Sequence, residues 1–209
     1  SLIVAGGSLT VKNNIINNGT VTVDNNANLV QTAELDTNSG SGTATVKRNS
    51  NPLLRLDYTL WSSPVLGAQT LAQFSPLTSQ SPSRFYTYNT ATDLYSNTDY
   101  NASFSQGKGY LIRMPNDADA VTPTAFSGVF TGALNNGTVP VAVTAGYNLV
   151  GNPYASNISL SSLISENSGL IGTTAYFWRK TNLAAGSAYC TYNSASLTYL
   201  SNDALGALP

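Results

Sequence analysis

The chain has 209 residues and a formal net charge of −1, and only 9% of its residues are charged. Charged residues usually make up about a quarter of a soluble domain, so asparagine, serine and threonine supply the polarity here, a composition that we interpret as extracellular. The scattered lysines and arginines form no basic run that could neutralise phosphates or an anionic membrane face. No segment approaches the roughly 20 apolar residues of a membrane span. We therefore expect no nucleic-acid partner and no membrane insertion.

The first 35 residues carry an alternating repeat. Residues 7–11 (Gly-Ser-Leu-Thr-Val) return twelve positions later as residues 19–23 (Gly-Thr-Val-Thr-Val), with Asn-Asn pairs between and after them. Short strands with Asn and Gly turns at a regular spacing are typical of β-solenoid rungs. We therefore predict solenoid rungs or a solenoid cap over residues 1–35, and further rungs before Ser1 because the outer strand edges would otherwise stay bare. The alternative is an ordinary hairpin that joins the following sheet.

The rest of the chain reads as a linker followed by many short strands. Residues 36–51 begin as a polar linker and then offer one strand around residues 43–47. Residues 52–209 contain brief β-branched or aromatic segments between turn clusters, which predicts a β-sandwich. The predicted fold class is therefore all-β, a short β-solenoid end followed by a β-sandwich. The expected sandwich strands are residues 58–62, 84–89, 109–114, 125–131, 139–143, 147–151, 176–179 and 189–192.

The predicted sandwich contains an internal duplication, with halves at about residues 58–130 and 147–209. Residues 58–64 (Tyr-Thr-Leu-Trp-Ser-Ser-Pro) match residues 147–153 (Tyr-Asn-Leu-Val-Gly-Asn-Pro) at an offset of 89. We infer that the sandwich is built from two related halves.

Two further segments follow the same duplication. The offset of 89 aligns residues 70–74 with residues 159–163, and we expect each to form a single helical turn after its strand. One residue of slippage then aligns residues 86–89 (Tyr-Thr-Tyr-Asn) with residues 176–179 (Tyr-Phe-Trp-Arg). These aromatic segments are the predicted second strands of the two halves.

Three motifs carry a resemblance to a known class of proteins. Residues 147–154 end in Asn-Pro-Tyr, residues 176–178 are Tyr-Phe-Trp, and residues 107–110 are Gly-Lys-Gly-Tyr. They resemble a module of the long extracellular cargo proteins that Bacteroidetes export through the type IX secretion system, where a solenoid or repeat region often precedes it and a sorting domain follows it. The resemblance implies an extracellular or cell-surface location, with outer-membrane anchoring through a region outside this chain. It also implies contact with the secretion machinery during export.

Catalytic chemistry finds little support in the sequence. The chain has no histidine, which excludes the usual serine and cysteine triads and most zinc sites. A glycosidase needs two facing carboxylates, but Glu34 and Glu166 lie in polar, loop-like contexts and form no recognisable pair. We therefore predict no enzyme, no catalytic residues, no cofactor and no resident metal.

One acidic segment leaves a choice open. Asp117 and Asp119 have the alternating spacing of a calcium loop, but the segment lacks the downstream Gly and Glu of an EF-hand. We interpret it as a solvated turn, and calcium binding remains the alternative. Residues 107–109 (Gly-Lys-Gly) lack the rest of a phosphate-binding loop, so we interpret them as a turn into a strand.

Five aromatic residues are candidates for stacking on sugar rings, because aromatic faces pair well with the apolar faces of sugars. The alternative is that they fill the core, as large aromatics in strands usually do, and we favour this interpretation. The five candidates are Trp61, Tyr86, Tyr88, Tyr176 and Trp178.

Taken with the resemblance, these patterns predict a non-catalytic structural or adhesive region of a secreted bacterial surface protein. Its partners would be surface glycans or other cell-surface proteins. The alternative hypothesis is a carbohydrate-binding module of a secreted polysaccharide-degrading enzyme, which predicts exposed, coplanar aromatic rings. A third hypothesis makes the chain a passenger that only the export machinery recognises.

Overall fold

The computed structural model describes residues 1–178 and 189–200, and the fold is all-β, as predicted. The described residues form strands joined by turns and two short helices, α1 (Leu71–Phe74) and α2 (Leu160–Glu166). The strands are β1 (Leu2–Val4), β2 (Ser8–Val11), β3 (Thr20–Val23), β4 (Asn28–Gln31), β5 (Thr43–Asn49), β6 (Tyr58–Trp61), β7 (Val65–Leu66), β8 (Phe85–Asn89), β9 (Leu94–Asn97), β10 (Tyr110–Arg113), β11 (Ser127–Leu134), β12 (Thr174–Trp178), β13 (Tyr189–Asn193) and β14 (Thr198–Leu200).

The first strands form a parallel stack, a name used here for β1–β4 and the first half of β5. β1 pairs with β3 and β3 pairs with β5, while β2 pairs with β4 in a separate sheet, all in parallel register. Leu2 lies beside Val21, 19 positions later, and Val21 lies beside Ala44, 23 positions later. The neighbouring strands β1, β3 and β5 are therefore 19 or 23 residues apart in the chain. The twelve-residue repeat is shorter than this spacing, and it relates β2 and β3, which lie in different sheets.

β5 joins the parallel stack to the rest of the molecule. Its other edge pairs in antiparallel register with β11, which pairs in turn with β7, so the sheet order is β1-β3-β5-β11-β7. β11 alternates strictly, with Val129 exposed and Phe130 fully buried. Residues from the parallel stack, such as Val23 and Val46, share one hydrophobic cluster with Phe130. The parallel stack and the antiparallel strands therefore pack as one unit.

A second, four-stranded antiparallel sheet has the order β6-β10-β8-β9 and contributes one of its faces to the same core. The ring of Trp61 lies 5.1 Å from that of Phe74, which stacks on Phe130 at 4.5 Å. Gly128 makes this approach feasible, because a Cβ at that position would lie 2.9 Å from atoms of both Phe74 and Trp61. The aromatic core therefore forms between this sheet, α1 and β11.

Two of the predicted strands are absent among the described residues. Residues 139–143 and 147–151 have no strand assignment, so those predictions were wrong. The second segment forms only an isolated bridge between Val150 and Lys108. Gly151 lies so close to Ser62 that an added Cβ would sit 2.1 Å from the Ser62 Cβ. Ser62 and Gly151 occupy equivalent positions in the predicted duplication, and the two segments contact each other there. Their conformations differ, because residues 58–61 form a strand and residues 147–151 do not.

The structure shows an internal similarity that differs from the predicted alignment of residues 86–89 with residues 176–179. It relates two β-hairpins, β8–β9 and β13–β14. In the β8–β9 hairpin Tyr88 pairs with Tyr95, and in the β13–β14 hairpin Tyr192 pairs with Tyr199. Positive φ angles occur at equivalent turn positions, 56° at Asp93 and 55° at Leu197. The hairpins therefore match at an offset of 104 residues, whereas Arg179 of the predicted alignment lies outside the described residues.

Helices are present at both expected places; α1 is the single turn that was predicted, whereas α2 has seven residues and is about two turns long. Thr70 caps α1 by accepting a hydrogen bond from the Gln73 backbone at 3.1 Å, and Ser159 caps α2 by accepting one from Ser162 at 3.2 Å. Such caps satisfy backbone N–H groups that the first helical turn leaves unpaired. Within the described residues, neither helix has the length and apolar character that crossing a membrane requires.

Candidate functional site

The outer face of the four-stranded sheet, which points away from the aromatic core, gathers most of the candidate aromatics. Side chains alternate across a strand, so Phe85 points into the core while Tyr86 and Tyr88 point outward. Register places Tyr86 beside Leu111 on β10 and beside Asn97 on β9. The outward side chains are Tyr58, Leu60, Arg84, Tyr86, Tyr88, Tyr95, Asn97, Leu111 and Arg113.

Trp61 lies on the opposite, inner face. Its side chain is 8% exposed and contacts Phe74, Phe126 and Phe130 edge-on or at a tilt. The ring is therefore part of the core, where no sugar could stack on it.

Four aromatic residues form a continuous tyrosine–tryptophan seam between the four-stranded sheet and the β12–β13 pair: Tyr88, Tyr95, Trp178 and Tyr189. Successive ring centroids lie 5.3, 6.4 and 5.3 Å apart, and every pair meets edge-to-face, at 72°, 78° and 88°. Edge-to-face pairs are a favourable way to pack aromatic rings. Rings that meet at such angles form no coplanar platform, so this geometry favours packing between the sheets over stacking on a sugar.

Polar atoms of the seam also pair within the protein. Trp178 Nε1 donates a hydrogen bond to the Tyr58 carbonyl at 2.8 Å, and the hydroxyls of Tyr95 and Tyr189 lie 2.8 Å apart. The Tyr88 hydroxyl donates to the Asp93 carboxylate, which raises the pKa of Tyr88 to about 12. Burial, followed by the bond to Tyr189, raises the pKa of Tyr95 as well. The Trp178–Tyr58 and Tyr95–Tyr189 contacts hold the β12–β13 pair against the four-stranded sheet.

Tyr176 lies apart from the seam. Its ring meets that of Tyr147 at 87° and 5.3 Å, and both side chains are about half exposed. The neighbouring Tyr147 hydroxyl raises the pKa of Tyr176. The five sequence-predicted aromatics therefore lie in four different places. Trp61 is in the core, Tyr88 and Trp178 are in the seam, and Tyr176 pairs with Tyr147. Tyr86 lies at one end of the outer face, next to Arg84.

That end of the outer face carries two arginines, which the sequence analysis missed. Arg113 lies beside Tyr58 on β6, and its backbone N–H donates to the Arg84 carbonyl at 3.2 Å. Arg84 donates a 3.3 Å hydrogen bond to the Tyr86 hydroxyl. Burial would raise the pKa of Tyr86, but hydrogen bonds from Arg84 and Tyr58 outweigh it and lower that pKa. The sequence does show that Arg84 and Arg113 each lie at the end of a strand segment. It does not show that these two strands are neighbours in the sheet.

A protein-family model matches residues 2–207, and the family is described as a domain of unknown function, DUF8693. The chain belongs to this family. No curated protein and no solved structure matches it. The matched range covers both the parallel stack and the last hairpin, so both are parts of the DUF8693 unit.

The acidic segment of this DUF8693 chain forms a hydrogen-bonded turn around Asp119. The Asp119 carboxylate accepts hydrogen bonds from the backbone of Val121 at 2.7 Å and of Thr122 at 2.9 Å. The Thr122 and Val121 amides lower the pKa of Asp119. Residues 1–178 and 189–200 bring together no group of three acidic or cysteine side chains that could hold a metal ion. The loop around Asp119 therefore has the bonding of a turn.

The turn at residues 152–156, which begins with the Asn-Pro-Tyr segment of the DUF8693 chain, joins the parallel stack to the remainder of the fold. The Ala155 carbonyl accepts hydrogen bonds from the Leu29 backbone at 2.9 Å and from Arg48 at 3.2 Å. Asn152 donates to the Ser156 carbonyl at 2.6 Å and thereby closes the turn. This motif, which carries the resemblance noted above, has a packing role in this chain.

Proposed function

We propose that this chain is a non-catalytic structural or adhesive region of a bacterial surface protein exported by the type IX secretion system. The observation that supports this most is the parallel stack, which continues through β5 into antiparallel sheets and shares their core. A repeating stack lengthens one coil at a time and keeps each neighbour in register. Such a unit suits a rigid stalk that carries a head away from the cell.

The exposed edge of the parallel stack supports the same proposal. Leu2 is 39% exposed and Ile3 is 63% exposed on β1, the outermost strand of its sheet. Edge strands that must stay unpaired usually carry charges or proline, and β1 (Leu-Ile-Val) has neither. We propose that the parallel stack is the end of a β-solenoid and that a further coil pairs with this edge.

Surface labelling in a bacterium that makes the full-length protein tests the location. We expect antibodies against residues 1–200 to label intact cells, and external protease to remove that label without lysis. Labelling that requires permeabilised cells would contradict export.

An in-frame deletion tests the role. Removal of residues 2–200 from the full-length protein should leave the remainder on the cell surface while attachment to glycan-coated or cell-coated surfaces falls. An unchanged attachment would leave no support for an adhesive role, and loss of surface display would instead support recognition by the export machinery.

A further inference from the structure

Two arginines lie directly opposite each other on adjacent strands of the outer face. β10 and β8 pair with Leu111 beside Tyr86 and Ile112 beside Phe85. The next step of this register sets Arg113 beside Arg84, and the 3.2 Å bond between their backbones confirms it. Like charges at directly opposite positions of a sheet destabilise it. In a chain with few charged residues, this juxtaposition requires a reason.

No carboxylate within the described residues neutralises this pair. The ion pair formed there joins Lys47 to Asp24 at 2.8 Å, far along the chain from both arginines. Arg84 donates to the Tyr86 hydroxyl and Arg113 donates to the Asn116 amide oxygen, both neutral acceptors. The Nε atoms of both arginines are buried without a hydrogen-bond partner. The two guanidinium groups thus carry positive charge that the described part of the protein leaves uncompensated.

The residues beside the arginine pair could bind a sugar that carries an anionic group. Tyr58 and Tyr86 meet edge-to-face at 5.8 Å next to the two guanidinium groups, and both rings are only partly buried. A guanidinium binds carboxylate and sulfate oxygens through two parallel hydrogen bonds. Phenol rings and hydroxyls beside it can contact a sugar ring and its hydroxyl groups. Both arginines and both tyrosines are only partly buried, so a repeating polymer that lies along the sheet could reach all four side chains.

We propose that Arg84 and Arg113 bind the carboxylate or sulfate groups of an acidic polysaccharide, with Tyr58 and Tyr86 contacting the sugar. This inference deepens the proposed adhesive role and rests on it for its biological setting. The binding itself is a property of the isolated chain.

Affinity electrophoresis in native gels tests the site on the 209-residue chain. Alginate supplies carboxylates, dextran sulfate supplies sulfates, and neutral dextran is the uncharged control. We expect retardation by at least one of the two acidic polymers and none by dextran. The retardation should weaken as salt rises, because salt screens exposed charges.

Three variants identify the residues that bind. Arg84→Gln with Arg113→Gln should weaken binding roughly tenfold, since it removes two charge-assisted contacts at the surface. Arg84→Lys with Arg113→Lys keeps the charge but loses the planar fork, so we expect an intermediate loss. Lys12→Gln with Arg55→Gln is the matched control, because it removes the same charge from exposed positions elsewhere. Circular dichroism confirms that each variant folds.

Several outcomes would overturn the proposal. The first is that neither acidic polymer retards the chain. The second is that the Lys12→Gln, Arg55→Gln control weakens binding as much as the Arg84→Gln, Arg113→Gln variant does. The third is that the Arg84→Gln, Arg113→Gln variant binds as tightly as the unaltered chain. If the Arg84→Lys, Arg113→Lys variant bound as tightly as the unaltered chain, positive charge alone would explain the binding. That result would overturn specific recognition by the guanidinium groups. Competition by sodium sulfate at millimolar concentration as effective as by the polymer would indicate a small-anion site instead. Surface labelling of intact cells is independent of all these results, so failure here leaves the proposed location untouched.

Discussion

On the inner face of the four-stranded sheet Trp61 and Phe85 belong to the buried hydrophobic cluster, whereas on the outer face Tyr88 and Tyr95 also hydrogen-bond through their hydroxyls. Both faces are rich in aromatic residues. Trp61 and Phe85 are almost fully buried, whereas Tyr88 and Tyr95 are only partly buried and Tyr95 contacts Trp178 of the β12–β13 pair. Aromatic content alone therefore does not identify the core, because the second face uses the same residue types to dock another layer.

The largest expected effect lies in the aromatic core that the inner face shares with β11. Phe130→Ala removes a fully buried ring that stacks on Phe74 at 4.5 Å, and it should lower the free energy of unfolding by about 3–5 kcal/mol. Urea unfolding followed by tryptophan fluorescence measures this loss. Phe130→Leu is the control and should recover much of the stability. A loss below about 1 kcal/mol would mean that the inner face is not the main core.

A smaller effect is expected at Trp178, which lies on β12 and packs against the outer face. Trp178→Ala removes a half-buried ring and its 2.8 Å hydrogen bond to the Tyr58 carbonyl, so we expect a loss of about 1–3 kcal/mol. Trp178→Phe keeps a ring and removes the donor, and it should lose about 1 kcal/mol.

The same Trp178 variant separates packing from sugar stacking. If Trp178→Ala left stability unchanged but abolished retention by a neutral polysaccharide, the carbohydrate-binding module would become the better interpretation. A stability loss equal to that of Phe130→Ala would remove the contrast between the two faces.

The sequence predicted the all-β class because alternation and turn residues are local signals. It also predicted both helical turns, since Thr70 and Ser159 are typical N-cap residues. It did not predict which strands pair. Val21 lies beside Leu2 and Ala44 at unequal spacings of 19 and 23 positions, so no fixed period marks the parallel stack.

The candidate site was harder to predict for a related reason. Alternation tells which residues share a face, but not which face meets the core, and Trp61 and Trp178 therefore looked alike in the sequence. Arg84 and Arg113 are distant in the chain and meet only through the register of β8 and β10. That register depends on the turns and on the packing of Phe85 and Ile112, which are properties of the whole fold.

The smallest expected effect concerns pH. The pKa of Tyr88 rises from 10.0 to about 12 in the folded chain, and that of Tyr95 rises too, so the folded state holds both protons more tightly than the unfolded state does. Their contribution to stability is complete below about pH 10 and is lost as pH rises through the folded values. Tyr86, whose pKa is lowered, acts in the opposite direction.

Urea unfolding between pH 8 and about pH 12 tests this contribution. The free energy of unfolding should decline above about pH 10. Tyr95→Phe removes the 2.8 Å contact with Tyr189, which should cost about 1 kcal/mol at pH 8 and make the alkaline decline shallower. Tyr199→Phe is a control, because Tyr199 lies in the β13–β14 hairpin away from the seam. If Tyr95→Phe and Tyr199→Phe changed the decline equally, the hydroxyl contacts of the outer face would make no special contribution to stability, and its stability would come from ring packing.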